Sequence, residues 1–318
     1  MNPLFANPLL NPIFFPLVAR IFWGFVAGLV LIFAWNRFTC KGLWKSKVGA
    51  IYLGWLILLP LYSAGVLFGW LAGMTVIFTL SSLAVWEIVR ITKLPRVYGY
   101  MLTALALVTV VAATFFPARF FLLPLTYLPM MAFVSVRRND AKTGFMYAAV
   151  GTYVAMWVIF GLSHLLLLAH LNGRFDQTGA LAFVVIFAVT LSDIGAFVFG
   201  KLFHKWGILD QFKVASAISP NKTYVGILGE IIGAGLGVWA MYFAVKGYLP
   251  WYQWVCIAIL IGVFGSAGGM MNSLFKRAYG VKDSGHLLEG LGGALDRIDS
   301  TIRVVVVLYY YLSFFLVK

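Results

Sequence analysis

Acidic side chains are scarce in this chain: ten aspartates and glutamates stand against 24 lysines and arginines in 318 residues. Charge of either sign is thin, at 11%, where soluble domains carry about 25%. That shortage excludes an ordinary soluble globular domain. Cysteine is nearly missing. Cys40 and Cys256 lie far apart with no CxxC partner, which excludes a disulfide framework and a cysteine metal site. Heptads, low-complexity tracts and a soluble-domain stretch are also lacking. The opening residues MNPLFANPLLNPIFFPLVAR have no basic stretch of the kind that precedes a cleaved signal, so they are expected to belong to the mature chain.

What the chain has is apolar length, with 62% hydrophobic residues. A bilayer core needs about 20 apolar residues in a helix. Ten stretches meet or approach this: 14–35, 49–66, 67–89, 98–115, 118–135, 145–170, 179–200, 224–245, 250–272 and 303–317. The fold class expected is therefore an all-α polytopic membrane protein of ten transmembrane helices, with Pro60, Pro117 and Pro124 marking kinks or turns. An N-terminal transmembrane region covers 1–144. A C-terminal region covers 145–318 and carries two long loops, 201–223 and 274–302.

The basic residues alternate with this map. They gather after the first, third, fifth, seventh and ninth stretches, as in Arg37 and Lys41, Arg90 and Lys93, Arg137 and Arg138, Lys201 and Lys222, and Lys276 and Arg277. The opposite side has Arg174 and Lys246 and little else. Cytoplasmic loops of membrane proteins are enriched in lysine and arginine, so both termini are expected outside and the two long loops inside. The net charge of +14 then faces anionic head groups; it does not imply nucleic acid.

Against that background, VKDSGHLLEGLGGALDRIDS, residues 281–300, is unusual. It concentrates Asp283, Glu289, Asp296 and Asp299 on the basic side of the membrane. Asp296 and Asp299 are three apart, which puts both carboxylates on one helical face. Two close carboxylates repel unless a cation sits between them, and oxygen ligands of this kind suit Mg²⁺. The glycines before them, Gly292 and Gly293, let backbone N–H groups approach an anion. Lys276, Arg277, Lys282 and Arg297 lie within the same loop. Acids for a metal beside bases for phosphates is a phosphoryl- or nucleotidyl-transfer pattern. A solvated loop with i,i+3 salt bridges is the structural alternative.

Two further segments carry chemistry. SDIGAFVFGK ends the seventh stretch; Asp193 lies inside an apolar helix, where ionisable groups are costly and usually functional, and Lys201 follows at the membrane face. ISPNKTYVGILGE opens the eighth. Ser219 is expected as its N-cap with Pro220 in the first turn, and Lys222 and Thr223 are placed where a helix N-terminus attracts an anion. Gly226 and Gly229 favour close helix packing. Glu87, beside Trp86 and three residues before Arg90, reads as part of an interfacial anchor, and Ser163-His164 reads as packing.

Taken together, SLFKRAYGVKDSGHLLEGLGGALDRIDS, DIGAFVFGK and SPNKT resemble the signature segments of the phosphatidate cytidylyltransferases, or CDP-diacylglycerol synthases. The resemblance covers residues 179–303. It implies transfer of cytidylyl from CTP to phosphatidic acid with Mg²⁺, in a bacterial cytoplasmic membrane. It further implies Asp296 and Asp299 as metal ligands, with Asp296, Lys222, Asp283 and Asp193 catalytic. Ser219, Thr223, Lys201, Ser273, Lys276, Arg277, Lys282, Gly292, Gly293 and Arg297 would bind substrate. Asp193 would orient Lys222 or line the cavity. A homodimer through the glycine-rich eighth and ninth spans is a further expectation. The chain departs from the family pattern at three places: Gly269 and Asn272 stand where that pattern has Asp and Glu, and Leu291 where it has His. A catalytically impaired relative that binds nucleotide or lipid is thus the alternative reading, and a transporter using Asp193 and Glu230 as relays is a third.

Overall fold

The computed structural model describes residues 4–39, 47–171, 179–205, 213–285 and 292–316. Glu289, Leu291 and His286 lie outside the described residues, as does the side chain of His204.

Every apolar stretch of the sequence is helical. The helices are α1 (Phe14–Thr39), α2 (Lys47–Leu67), α3 (Trp70–Thr92), α4 (Arg96–Phe115), α5 (Pro117–Phe120), α6 (Pro124–Arg137), α7 (Gly144–Val154), α8 (Gly161–His170), α9 (Ala180–Lys205), α10 (Tyr224–Val245), α11 (Trp251–Ala278) and α12 (Leu295–Leu316). A π-helical turn, Ala155–Phe160, fuses α7 to α8 into one long helix. Among the described residues, seven helices are long and apolar enough to cross a membrane: Trp70–Thr92, Arg96–Phe115, Gly144–Leu168, Ala180–Phe203, Tyr224–Val245, Trp251–Ala278 and Leu295–Leu316. Phe14–Val30 and Tyr52–Leu67 are shorter apolar helices.

The fifth stretch is not one continuous helix. Pro117 and Pro124 each occupy the first turn of a helix, a position that suits a residue with fixed φ and no N–H. The run is divided, and α6, at 14 residues, reaches about 21 Å, short of a hydrocarbon core of about 30 Å. Pro60 does not stop α2.

The core is built from apolar residues at helical spacing. Leu80, Ala84 and Ile88 of α3, Leu102, Ala106 and Val110 of α4, and Ile298, Ile302 and Val305 of α12 are all buried. The outward faces of the bundle stay apolar, as Trp239, Trp251, Val255 and Ile259 show; such a surface suits lipid.

Four helices, α9 to α12, position the unusual residues. α9 and α10 make the most intimate contact. A methyl group added to Gly195, Gly233 or Gly237 would collide with backbone of the facing helix: Gly229, Leu191 and Ala188 respectively. Gly262 of α11 packs on Ile231 of α10 in the same way. These glycines are used inside the chain, so the expected dimer seam through spans eight and nine is not supported by them.

The only strands among the described residues are β1 (Lys213–Ala215) and β2 (Ser219–Thr223), an antiparallel pair aligning Lys213 with Thr223 and Ala215 with Ser219. Ser219 is therefore not the cap of α10, contrary to expectation. The SPNK segment is extended and runs straight into the helix. Thr223 is the cap, in β-conformation, and its hydroxyl accepts from Gly226 N–H at 3.1 Å.

Candidate active site

The site forms where the middle of α9 and the C-terminal parts of α3 and α11 meet the N-terminal ends of α10 and α12. Sequence reading placed Asp296 and Asp299 in a loop ending near 302; the structure starts α12 at Leu295. The apolar window began late because LDRIDS is polar, whereas a helix start tolerates acids. Free N–H groups and the helix dipole both favour carboxylates in the first turn.

Asp296 is the most heavily bonded carboxylate of the group. Its Oδ1 accepts from Lys276 Nζ at 2.6 Å and from Asn272 Nδ2 at 3.0 Å. Its Oδ2 accepts from the backbone N–H of Ser284 at 2.9 Å and of Gly293 at 3.4 Å. Gly292, with φ of +76°, adopts the left-handed conformation that glycine accommodates best. The glycine amide expected to meet a phosphate is thus turned onto Asp296.

Asp299 lies one turn on, and its Oδ2 accepts from the same Asn272 nitrogen at 2.8 Å. The amide of Asn272 sits wholly buried between the two carboxylates. Its own Oδ1 has no hydrogen-bond partner among the described residues. Asn272 and Lys276 are four apart on α11, so one helical face presents both to α12. Asp193 joins from α9: its Oδ1 accepts from the Ser300 hydroxyl at 3.3 Å. It also lies within electrostatic reach of Asp299, Glu230 and Lys222.

Lys222 projects from the end of β2. Its ammonium donates to the Ser266 carbonyl at 2.8 Å and pairs with Glu230 Oε1 at 3.3 Å. Asp193 was expected to orient Lys222 or to line the cavity. Glu230 takes that place because it lies two helical turns into α10 from Lys222, on the buried side of that helix.

Glu87 was read as an interfacial anchor and is instead buried. It accepts from Ala294 N–H at 2.7 Å, Leu295 N–H at 3.0 Å and the Ser284 hydroxyl at 2.9 Å. The free N–H groups of α12 are thereby satisfied from α3. The signal was present in the sequence: an acid in an apolar helix, as at Asp193.

Other expected residues are peripheral. Arg277, Lys282 and Asp283 are exposed, and Arg277 donates to the Val281 carbonyl at 3.4 Å. Ser219, Ser273, Thr223 and Arg297 are half-buried. Lys201 is exposed, its ammonium 4.3 Å from the Phe197 ring centre. His164 is wholly buried, packed on Phe120, Phe160 and Tyr309, with Nδ1 2.8 Å from the Phe160 carbonyl. A cavity of about 460 Å³ opens at the other end of α3, lined by Tyr62, Trp70, Ile77 and Leu166 among others, with no ionisable acid or base in its wall apart from the Tyr62 phenol.

No group of three or more His, Cys, Asp or Glu side chains able to hold a metal is found among the described residues. The donor set nevertheless fits Mg²⁺, which is commonly held by one or two carboxylates together with substrate phosphates. Asp296 and Asp299 converge on one point, and the unpartnered Asn272 oxygen becomes a third hard donor if its amide turns over.

Comparison with known proteins agrees with the segments that drew attention in the sequence. Residues 49–315 match the Cytidylyltransferase family. The chain belongs to this family. A phosphatidate cytidylyltransferase of Staphylococcus haemolyticus is 39% identical over 124 residues, which is 39% of this chain and 44% of that protein. One of Staphylococcus saprophyticus is 38% identical over the same length. The uncharacterized protein YnbB of Escherichia coli K12 is 33% identical over 196 residues, 60% of this chain and 63% of its own. The matched stretch is thus less than half of each staphylococcal relative and less than two thirds of YnbB.

Proposed function

We propose that this cytidylyltransferase-family chain is a membrane-embedded CTP:phosphatidate cytidylyltransferase. A phosphate oxygen of phosphatidate attacks the α-phosphorus of CTP. The bond from that phosphorus to the oxygen bridging to the β-phosphate breaks, and CDP-diacylglycerol and pyrophosphate result. The observation that carries the reading is the convergence of Asp296 and Asp299 on one buried point. Lys276 is bonded to the first of them, and Lys222 belongs to the same charged cluster.

In this reading Asp296 and Asp299 hold Mg²⁺, with Asn272 Oδ1 as an added donor. When bound, the ion supplies positive charge against the crowded phosphates. Lys222 and Lys276 offset charge that builds on the departing pyrophosphate, and fixed cations in a partly dry site do this without reorganising. Glu87 and the Ser284 amide hold the start of α12 in place, so the two carboxylates keep their register. The cluster lies at the helix ends, where a lipid phosphate arrives from the bilayer and a nucleotide from water. The basic residues Arg90, in the last turn of α3, and Lys93 and Arg96, just after it, lie at this same end of the bundle, which supports a cytoplasmic location for the site. In the proposed arrangement α5 and α6 together make the fifth of ten crossings, both termini lie outside, and the membrane is a bacterial cytoplasmic one.

The test is turnover. Purified protein with CTP, phosphatidate and Mg²⁺ is expected to release CDP-diacylglycerol, and Asp296→Asn is expected to reduce this to background. Folded wild-type protein that turns over no lipid phosphate would instead be a binding relative, the reading that Gly269 and Asn272 favour.

A further inference from the structure

We propose that Glu230 is a positioning residue that fixes the Lys222 ammonium, a task that a carboxylate placed at position 269 would also perform. The inference rests on the functional reading above only for its activity measurement.

Three observations lead to it. Position 269 faces Lys222: a methyl group added to Gly269 would meet the Lys222 ammonium 3.4 Å away and nothing else within 4 Å. An acidic side chain there would therefore point at Lys222. Gly269 offers none. The ammonium is paired instead from the neighbouring helix, by Glu230 Oε1 at 3.3 Å. Glu230 is itself buried, and its Oε2 has no hydrogen-bond partner among the described residues. A buried carboxylate in a membrane helix is costly unless a cation offsets it, so its place is explained by Lys222.

The geometry also shows why either position can serve. Lys222 is gripped by the Ser266 carbonyl at 2.8 Å. Ser266 and Gly269 are three apart on α11 and share a face. Lys222 thus lies over that face, open to a carboxylate from α11 itself or from α10 beside it. Either source fixes the same ammonium in the same cluster with Asp193 and Asp299.

Moving the charge tests this. Glu230→Gln is expected to lower turnover about tenfold or more and to lower the melting temperature. Adding Gly269→Asp to Glu230→Gln is expected to recover most of both losses, since the new carboxylate enters open space against Lys222. A Glu230→Gln variant with wild-type turnover and melting would overturn the proposal, as would a folded double variant no better than Glu230→Gln alone. A second measurement needs no turnover. In a Lys222→Met background, Glu230→Gln is expected to raise the melting temperature, or leave it, because the carboxylate has lost its cation. If Glu230→Gln lowers it equally with and without Lys222, the pairing is not what Glu230 serves. That melting cycle remains readable if the protein transfers no cytidylyl group, so the two ideas fail separately.

Discussion

Glu87 and Leu295 stand 208 residues apart and are joined by a 3.0 Å hydrogen bond from the Leu295 N–H to the Glu87 carboxylate. With Ala294 N–H and the Ser284 hydroxyl on the same carboxylate, the α3 helix caps α12 from outside its own sequence. This is the contact that connects the N-terminal region to the site. Glu87→Gln keeps the shape, loses the charge and turns an NH₂ group toward at least one backbone donor. Hydrogen bonds to charged groups contribute about 1.5–3 kcal/mol, so a loss of that order is expected. Thermal unfolding in detergent measures it. A wild-type melting temperature for Glu87→Gln would remove Glu87 from the account of how Asp296 is held.

The amide of Asn272 occupies the point between Asp296 and Asp299 where the proposed Mg²⁺ would sit. Its nitrogen now lies 3.0 Å from Asp296 Oδ1 and 2.8 Å from Asp299 Oδ2. Asn272→Asp puts a third carboxylate between the other two. Without a divalent ion this variant is expected to melt several degrees below wild type, because like charges are confined in a buried site. Millimolar Mg²⁺ is expected to restore it, while NaCl of equal ionic strength does not. Wild type, with two carboxylates and a neutral amide, is expected to need CTP together with Mg²⁺ for a comparable rise. An Asn272→Asp variant indifferent to Mg²⁺ would mean that the three side chains do not share a cation position.

Much of this was legible in the sequence, for identifiable physical reasons. Ten apolar stretches read as helices because a bilayer leaves few other choices for a spanning backbone. The facing of Asp296 and Asp299 followed from helical spacing alone. Three features were not legible. The start of α12 was missed because hydropathy windows register apolar content, and LDRIDS has little. Ser219 was misread as a cap because Ser-Pro before an apolar run fits both a helix start and an extended lead-in; pairing with Lys213–Ala215 decides for the strand. The partner of Lys222 depends on which helix lies beside it, and neither Glu230 nor Asp193 carries that information locally. Glu87 belongs with these: its partners lie about two hundred residues downstream.

The α9–α10 contact sets the register between Asp193 and Glu230, and its glycines pack directly on backbone of the facing helix. Gly233 lies against the backbone of Leu191 and Ser192, with no flexible side chain in between to move aside. A Gly233→Val substitution must push the helices apart or break one of them. Overpacking typically costs about 1–3 kcal/mol, and backbone against backbone leaves little relief, so the upper end or beyond is expected. Gly200, further along α9, has nothing within 4 Å of an added methyl. There Gly200→Ala is expected to stabilise by about 0.5–1 kcal/mol, because alanine loses less backbone freedom than glycine in a helix. Melting curves and monodispersity of the two variants in detergent read the difference. If Gly233→Val behaves like Gly200→Ala, then α9 and α10 do not meet through their glycines, and the grouping of Asp193 with Lys222 and Glu230 loses its footing.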